Sequence, residues 1–457
     1  MTKPIKNNLF GLSGSLKDQL AQKMLEKRLK KVTEATMQNG DVIRTRKSLQ
    51  SNSKIPDEFC RFDMFPGYQQ IRILETGGKQ LGVPSPFFKS HEGIAGNTTT
   101  IAGKQFINFA SYNYLDLCGH EAVSEAAKKA IDQYGTSASA SRPVAGERPI
   151  QRELEVELAK LYDVDDCIVF VSGHATNVTT IGYLFGPKDL IVHDSLIHNS
   201  VVQGGQLSGA TRLPFPHNDW QALDELLFQQ RKNYERVLIV IEGIYSMDGD
   251  YPDLKRFIEI KKRHKAFLMV DEAHSLGVLG DRGHGIKEHA GIDGHEVDLW
   301  MGTLSKTLAS CGGYIAGEKA LIDHLKFSAP GFLYSVGIAP PVAAAAIAAL
   351  KILDQEPERV KSLKARGNQF LALAQEKGLN VGSSAGLSVI PIITGSSATS
   401  GRLSNACFER GINVQPIFYP AVQEGMARLR FFICSSHTEE QIEQTVNILV
   451  EEMGKLK

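Results

Sequence analysis

The 457-residue chain has no Cys-x-x-Cys pair. Its six cysteines, at 60, 118, 167, 311, 407 and 434, are scattered, so neither a zinc site nor a disulfide framework is signalled. A reducing cytoplasm is the expected setting. Net charge is also missing: Lys plus Arg and Asp plus Glu count 51 each. No overall field therefore favours nucleic acid or an acidic membrane surface. Long apolar runs are absent as well. The greasiest stretch, 338–350, is alanine-rich and too short to cross a bilayer. The N-terminus lacks the apolar core of a signal peptide. Nucleotide fingerprints are missing too: no Gly-x-Gly-x-x-Gly follows a strand, and no Gly-Lys-Ser/Thr loop occurs.

What remains is an ordinary soluble composition, 42% hydrophobic and 22% charged. The length suggests a large α/β domain and at least one smaller one. Residues 1–50 stand apart, with eleven Lys/Arg against four Asp/Glu. There Leu16, Leu20, Met24, Leu25, Leu29 and Val32 fall near helical spacing, which predicts a basic amphipathic arm. Such an arm packs on its own protein, forms a partly disordered leader, or docks an acidic partner. Residues 51–105 are rich in Gly and Pro and read as an irregular segment with short strands.

From 106 to about 350 one pattern recurs: a short apolar run, a loop of small or polar residues, then a helix. The runs are 166–171, 189–193, 236–241, 266–270 and 297–301, separated by helical segments such as 151–162, 219–233 and 252–264. Alternation of this kind implies a mainly parallel sheet covered on both faces. Residues 351–457 read as a smaller α+β domain, with helices at 355–377 and 438–454 and strands near 387–393 and 428–434.

In such sheets the chemistry gathers at the carboxyl ends of the strands. "FVSGHATN" (170–177) ends a strand in Ser-Gly and opens a helix, whose free N–H groups suit a phosphate. "VHDSLIHNS" (192–200) places His198 after the next strand, and "IEGIYSMDGD" (241–250) places Ser246 after another. In "MVDEAHSLGVLG" (269–280), Asp271 and His274 leave a very apolar strand together. A carboxylate in that position is costly unless it meets a cation. Finally, "MGTLSKTLAS" (301–310) sets a lone Lys306 among small residues, with no acid beside it. It is either an exposed loop lysine or an amine kept near neutrality to act as a nucleophile. Pyridoxal phosphate is one cofactor that needs the whole set: a lysine for its Schiff base, an acid against its ring nitrogen, donors for its phosphate and a flat group on its ring.

From residue 106 to the end, the segments "SYNYLDL", "SGHATN", "DSLIHNS", "YSMDGD", "VDEAHSLGVLG", "GTLSKTLAS" and "RLRFF" occur in the order found in the α-oxoamine synthases. These are fold-type I pyridoxal-phosphate enzymes, and together the motifs are highly specific. The family includes 8-amino-7-oxononanoate synthase, 2-amino-3-ketobutyrate CoA ligase, 5-aminolevulinate synthase and serine palmitoyltransferase. The likeness is nearest to the versions found with polyketide synthases, which share stretches like "FPGYQQIRI" and "PFFK".

The resemblance implies a seven-stranded, mainly parallel sheet with helices on both faces and a smaller C-terminal α+β domain. It implies that Lys306 carries pyridoxal phosphate and Asp271 meets its ring nitrogen. His198 then stacks on the ring, and His274 and Ser246 lie near its phenolic oxygen. Gly173 and His174 bind the phosphate through backbone N–H groups, joined by Thr303, and Ser335 reaches it from the second subunit of a homodimer. Arg430 holds the amino-acid carboxylate, assisted by Asn113; Arg428 is its less favoured neighbour. The implied reaction is decarboxylative condensation of glycine, alanine or serine with an acyl thioester, carried by coenzyme A or an acyl carrier protein. The rival reactions on the same fold are transamination and aldol-type cleavage, and the rival outside catalysis is an inactive partner subunit, which lacks the lysine. Two departures lie near the family's acyl entrance. Asp116 replaces the glycine of Asn-Tyr-Leu-Gly, and "GTSASASRPVAGE" (135–147) replaces a Gly-Ser-Gly-Gly-Ser-Arg stretch.

Overall fold

A computed structural model describes residues 55–80 and 84–456. The expected arm at 1–50 lies outside the described residues. The chain divides into two compact units, residues 1–88 and 89–457. In the first, the segment read as irregular contains a helix, Pro66–Gln80. Its glycines suggested loop, but Pro66 occupies the first turn, where a missing N–H costs nothing.

The second unit opens with an antiparallel hairpin, β1 (Thr98–Ile101) and β2 (Lys104–Asn108). Next come the strands of a seven-stranded sheet: β3 (Asp166–Phe170), β4 (Leu190–Asp194), β5 (Thr211–Phe215), β6 (Val237–Glu242), β7 (Phe267–Asp271), β8 (Leu299–Thr303) and β9 (Gly313–Gly317). The order across the sheet is β3-β9-β8-β7-β6-β4-β5. All pairs are parallel except those of β9, which runs against both neighbours. Most of these strands are buried along their whole length, because helices cover both faces. One face packs Val169, Ile239, Val270 and Trp300; the other packs Ile168, Val240, Met269 and Met301.

After the large sheet come β10 (Val389–Gly395), β11 (Ile412–Asn413), β12 (Gln415–Ile417) and β13 (Ala427–Phe432). A second sheet has the order β10-β13-β12. The strand β11 leaves that group and pairs in parallel with β2, Ile412 opposite Ile107. The alanine-rich helix Pro340–Gln355 runs across the boundary expected at 350. Its small side chains let it pack closely on the helices Glu121–Tyr134 and Pro149–Tyr162.

One buried acid sets a pH-dependent stability. Glu272 follows β7 and is fully buried. It accepts from the Ser275 hydroxyl and from the Ile286 N–H at 3.0 Å, with no ion pair among the described residues. Burial pushes it up to about 7; these hydrogen bonds oppose the rise, and the Asp271 charge adds to it. In the unfolded chain the carboxyl gives up its proton near 4.5. Between the two values the unfolded state binds fewer protons, so stability falls as pH rises and the loss is complete above about 7. At ~1.4 kcal/mol per unit, the total is of order 3 kcal/mol. Glu272→Gln keeps an acceptor for Ile286 without a charge. Its melting temperature is expected to exceed the parent's at pH 8, with the gap closing toward pH 5; equal gaps at both would contradict the argument.

Candidate active site

The carboxyl ends of the parallel strands share one edge, and each expected strand-end group follows one of them. β3 leads through Ser172 into the helix Gly173–Leu184. The Ser172 hydroxyl caps that helix by accepting from the Ala175 N–H at 3.4 Å, which leaves the Gly173 and His174 N–H groups pointing outward. Because β9 is antiparallel, its first residue reaches the same edge, with Gly313 opposite both Phe170 and Thr303. The three segments touch. A Cβ on Gly173 would stand 2.8 Å from Thr303 Oγ1, and one on Gly313 would stand 2.6 Å from Gly173 Cα. Thr303 Oγ1 also donates to the Gly312 carbonyl at 3.0 Å. This tight, glycine-floored cradle at a helix N-terminus suits an anion.

Lys306 follows β8. Its ammonium stands 5.5 Å from the centroid of the Tyr112 ring. Loss of hydration pushes it down to about 8, against the pull of Asp271 and Glu242 and with help from Arg430. The lysine is therefore half-buried and does not lie on an exposed loop. Asp271, the last residue of β7, is buried. Its Oδ2 accepts from Asn177 Nδ2 at 2.9 Å and its Oδ1 from the Ala273 N–H at 3.0 Å. Among the described residues it forms no ion pair, so its charge is met only by neutral donors.

His198 caps the helix Asn199–Ser208. Burial lowers its pKa; the charges of Lys306 and His174 add to this, and Asp271 opposes it. His274 is buried and its Nδ1 lies 2.6 Å from the Tyr114 hydroxyl. Desolvation, followed by Lys306 and Arg430, holds it well below the usual histidine range, so it is neutral. Ser246 is buried in the turn after β6, and its carbonyl accepts from Arg430 Nη1 at 3.1 Å.

Arg428 and Arg430 share a face of β13 but differ in what they can still bind. Arg428 is buried and paired with Asp248 at 2.6 Å, with further bonds to the Met247 and Met426 carbonyls. Arg430 lies over the Phe432 ring at 4.7 Å, and its buried Nε has no partner. Arg430 is the one with capacity for an incoming carboxylate.

Other expected residues make local contacts within the chain. Asn113 spends its side chain locally. Its amide donates to the Ala95 carbonyl at 2.8 Å and to Asp116, and its oxygen accepts from the Leu117 and Cys118 N–H groups. The flanking Tyr112 and Tyr114 reach Lys306 and His274 instead. Asp116 has a φ of 58°. The backbone thus keeps the left-handed turn that a glycine favours, with a residue that tolerates it. Ser335 donates its N–H to the Phe332 carbonyl at 3.3 Å and lines a small cavity with Arg142, Phe170 and Gly337, which no residue of the Lys306 group lines. Glu242 and Asn177 were not singled out from sequence. Glu242 is the register partner of Asp271, and Oε1 of Glu242 accepts from the His198 N–H at 2.7 Å. Their signal was a polar residue ending an apolar run and an amide in the quoted "SGHATN".

Comparison with known proteins agrees with this geometry. The pattern of the class I and II aminotransferases matches residues 104–449. The chain is 38% identical to an 8-amino-7-oxononanoate synthase of Treponema denticola, over 80% of this chain and 91% of that protein. A serine palmitoyltransferase from S. paucimobilis, solved with bound PLP–myriocin aldimine, superposes with a TM-score of 0.81 at 26% identity, covering 85% of this chain and 98% of that one. An 8-amino-7-oxononanoate synthase from Francisella tularensis superposes at 0.67 with 27% identity, covering 77% and 98%. The chain belongs to the class I and II aminotransferase family, in its α-oxoamine synthase branch.

Proposed function

We propose that the protein is a pyridoxal-phosphate-dependent acyltransferase that condenses a small amino acid (glycine, alanine or serine) with an acyl thioester, releasing carbon dioxide, free thiol and an α-aminoketone. One observation carries the reading: a lysine pushed down to about 8 and a buried carboxylate without a cation share one sheet edge with an anion cradle. That donor set fits the cofactor's carbonyl, ring nitrogen and phosphate in turn.

When bound, the cofactor supplies an electron sink for negative charge developing at the amino acid's Cα. The chain's own groups do the rest. Gly173 and His174 N–H groups with Thr303 would hold the phosphate. Asp271 would keep a proton on the ring nitrogen, and His198 would stack on the ring. Ser246 and neutral His274, which Tyr114 holds at 2.6 Å, would serve the phenolic oxygen. Arg430 fixes the substrate carboxylate through its free Nε edge. Lys306 Nζ, held near neutrality, would take the Cα proton of the bound amino acid and hold it. Asn113 serves by holding the loop that presents Tyr112 and Tyr114.

The donor in this reading is an acyl carrier protein, supported by the basic composition of 1–50 and the likeness to polyketide-associated members. A homodimer with Ser335 acting across the interface completes the site, and the free thiols suit a reducing cytoplasm.

The test is to offer glycine, alanine and serine in turn, each with acyl-coenzyme A and with acyl carrier protein. Carbon dioxide and thiol are expected in equal amounts, faster from the carrier; removal of 1–50 slows only that donor. A 2-oxo acid or an aldehyde without carbon dioxide would instead mark transamination or aldol cleavage. A faster reaction with coenzyme A would reverse the donor assignment, and full activity in a sedimenting monomer would remove the dimer.

A further inference from the structure

His198 is pinned at two places. Glu242 Oε1 accepts its backbone N–H at 2.7 Å, and its ring Nδ1 lies 2.7 Å from Ser200 Oγ. The Ser200 backbone N–H also points at Nδ1, at 3.3 Å. An N–H can only donate, so Nδ1 carries a lone pair and no proton. The Ser200 hydroxyl must then donate to Nδ1 as well. Its oxygen in turn accepts from Asn177 Nδ2 at 2.9 Å, and the same Nδ2 donates to Asp271 Oδ2 at 2.9 Å.

The orientation of the Asn177 amide is equally forced. Turning it over would set its oxygen against the Asp271 carboxylate. As it stands, Asn177 Oδ1 is buried without a partner. Leaving an amide oxygen unpaired is costly, and that cost is accepted where the other end of the amide is committed to two acceptors.

We propose that Asn177 and Ser200 are positioning residues that lock His198 in its neutral form with the proton on Nε2, while the same amide aims Asp271 at the cofactor. Donation runs outward from the Asn177 amide, to Asp271 on one side and through Ser200 to His198 on the other. It ties the group below the cofactor's ring nitrogen to the group against the ring face. His198 cannot act as a base at Nδ1; it can only offer a proton from Nε2. The part concerning the cofactor rests on the function proposed above, whereas the lock itself does not.

The titratable groups facing His198 are Glu242, Asp271, Lys306, His174, His274 and Arg430. Burial first disfavours the protonated ring, Asp271 favours it, Lys306, His174 and Arg430 oppose it, and the Ser200 bond adds to that opposition. Removing that bond must raise the His198 pKa, because it stabilises only the neutral ring.

The test uses the purified holoenzyme labelled with nitrogen-15 in histidine, with His198 assigned by its loss in His198→Gln. In the parent, the His198 nitrogens are expected to report a proton on Nε2 throughout about pH 6 to 8. In Ser200→Ala, the pKa should rise by roughly one unit, the tenfold that an ordinary hydrogen bond is worth, while the backbone N–H of residue 200 still keeps the proton of the neutral ring on Nε2. Asn177→Ala should do the same, because the freed Ser200 hydroxyl can reverse and accept. The double variant should move no further than Ser200→Ala, since Asn177 acts through Ser200. The acid limb of kcat/KM should follow the same upward shift. A merely structural role predicts lower stability with an unmoved limb. A proton on Nδ1 in the parent, or an unmoved His198 in Ser200→Ala, would overturn the lock. If Asn177→Ala does not fold, Ser200→Ala alone decides. Absence of pyridoxal phosphate from the purified protein would overturn the function reading and leave the His198 measurement to judge the lock.

Discussion

Lys306→Ala should abolish turnover and the visible absorbance of the linked cofactor while leaving the fold intact. In the proposed reaction the lysine has two tasks, holding the cofactor covalently and moving the Cα proton, and alanine can do neither. A positioned acid or base alone is worth ~10²–10⁴ in rate, so the loss should exceed that range. Phosphate binding should survive, because the cradle of Gly173, Thr303 and Gly313 does not involve the lysine. Borohydride should fix the cofactor to Lys306 in the parent and to nothing in the variant. Fixation to another lysine would end the assignment. The amine must be unprotonated to attack, and desolvation brings it down to about 8. Uptake of the cofactor by the apoenzyme should therefore speed up as pH rises through about 8 and then level off. An increase continuing toward the ordinary lysine value of 10.5 would mean that the site does not depress it.

Asp271→Asn should retain the cofactor and lose most of the rate. The carboxylate ends β7 in a buried position, where only Asn177 and Ala273 donate to it. It therefore has charge to spare for a protonated ring nitrogen, and asparagine has none. Preorganised electrostatic partners of this kind cost about 10²–10³ in kcat when removed. The fold should tolerate the change, since the amide oxygen can still accept from Asn177. A pyridoxal phosphate analogue methylated at the ring nitrogen carries the positive charge permanently. It should restore much of the rate to Asp271→Asn and slow the parent. Equal rates for parent and variant with the natural cofactor would remove Asp271 from this role.

The parts of this architecture that sequence reveals are those where one physical requirement dominates. Strands β3, β4, β6, β7 and β8 are read correctly because burial on both faces leaves runs of mainly apolar residues. Asp271 and Lys306 stand out where that requirement stops abruptly. Strand β9 is less visible because "GYIAG" serves close packing: a Cβ on Gly313 would strike Gly173, and one on Gly317 would meet the Asp298 carbonyl at 2.6 Å. Strand β5, "TRLPF", hides behind a proline and partly exposed residues that only an edge strand allows. In the site, Asn113 sits in a recognisable motif, yet its amide braces its own loop while Tyr112 and Tyr114 reach inward. Alternate projection along a short segment cannot be told from residue types when all three are polar.

The pairing of β2 with β11 bears on how the chain is made. Ile107 donates its N–H to the Gly411 carbonyl at 2.9 Å, and Asn413 bonds Asn108 across a separation of 305 residues. At ~5–20 residues per second, a ribosome takes roughly 15–60 s to deliver that partner. Throughout that time the β1–β2 hairpin has a bare strand edge, which is a template for pairing with another nascent chain. Holdase chaperones should therefore engage the emerging polypeptide at 98–108 and release it only after 413 has cleared the exit tunnel. Stalled chains ending just before 411 should remain chaperone-bound, whereas chains extended through residue 457 should not.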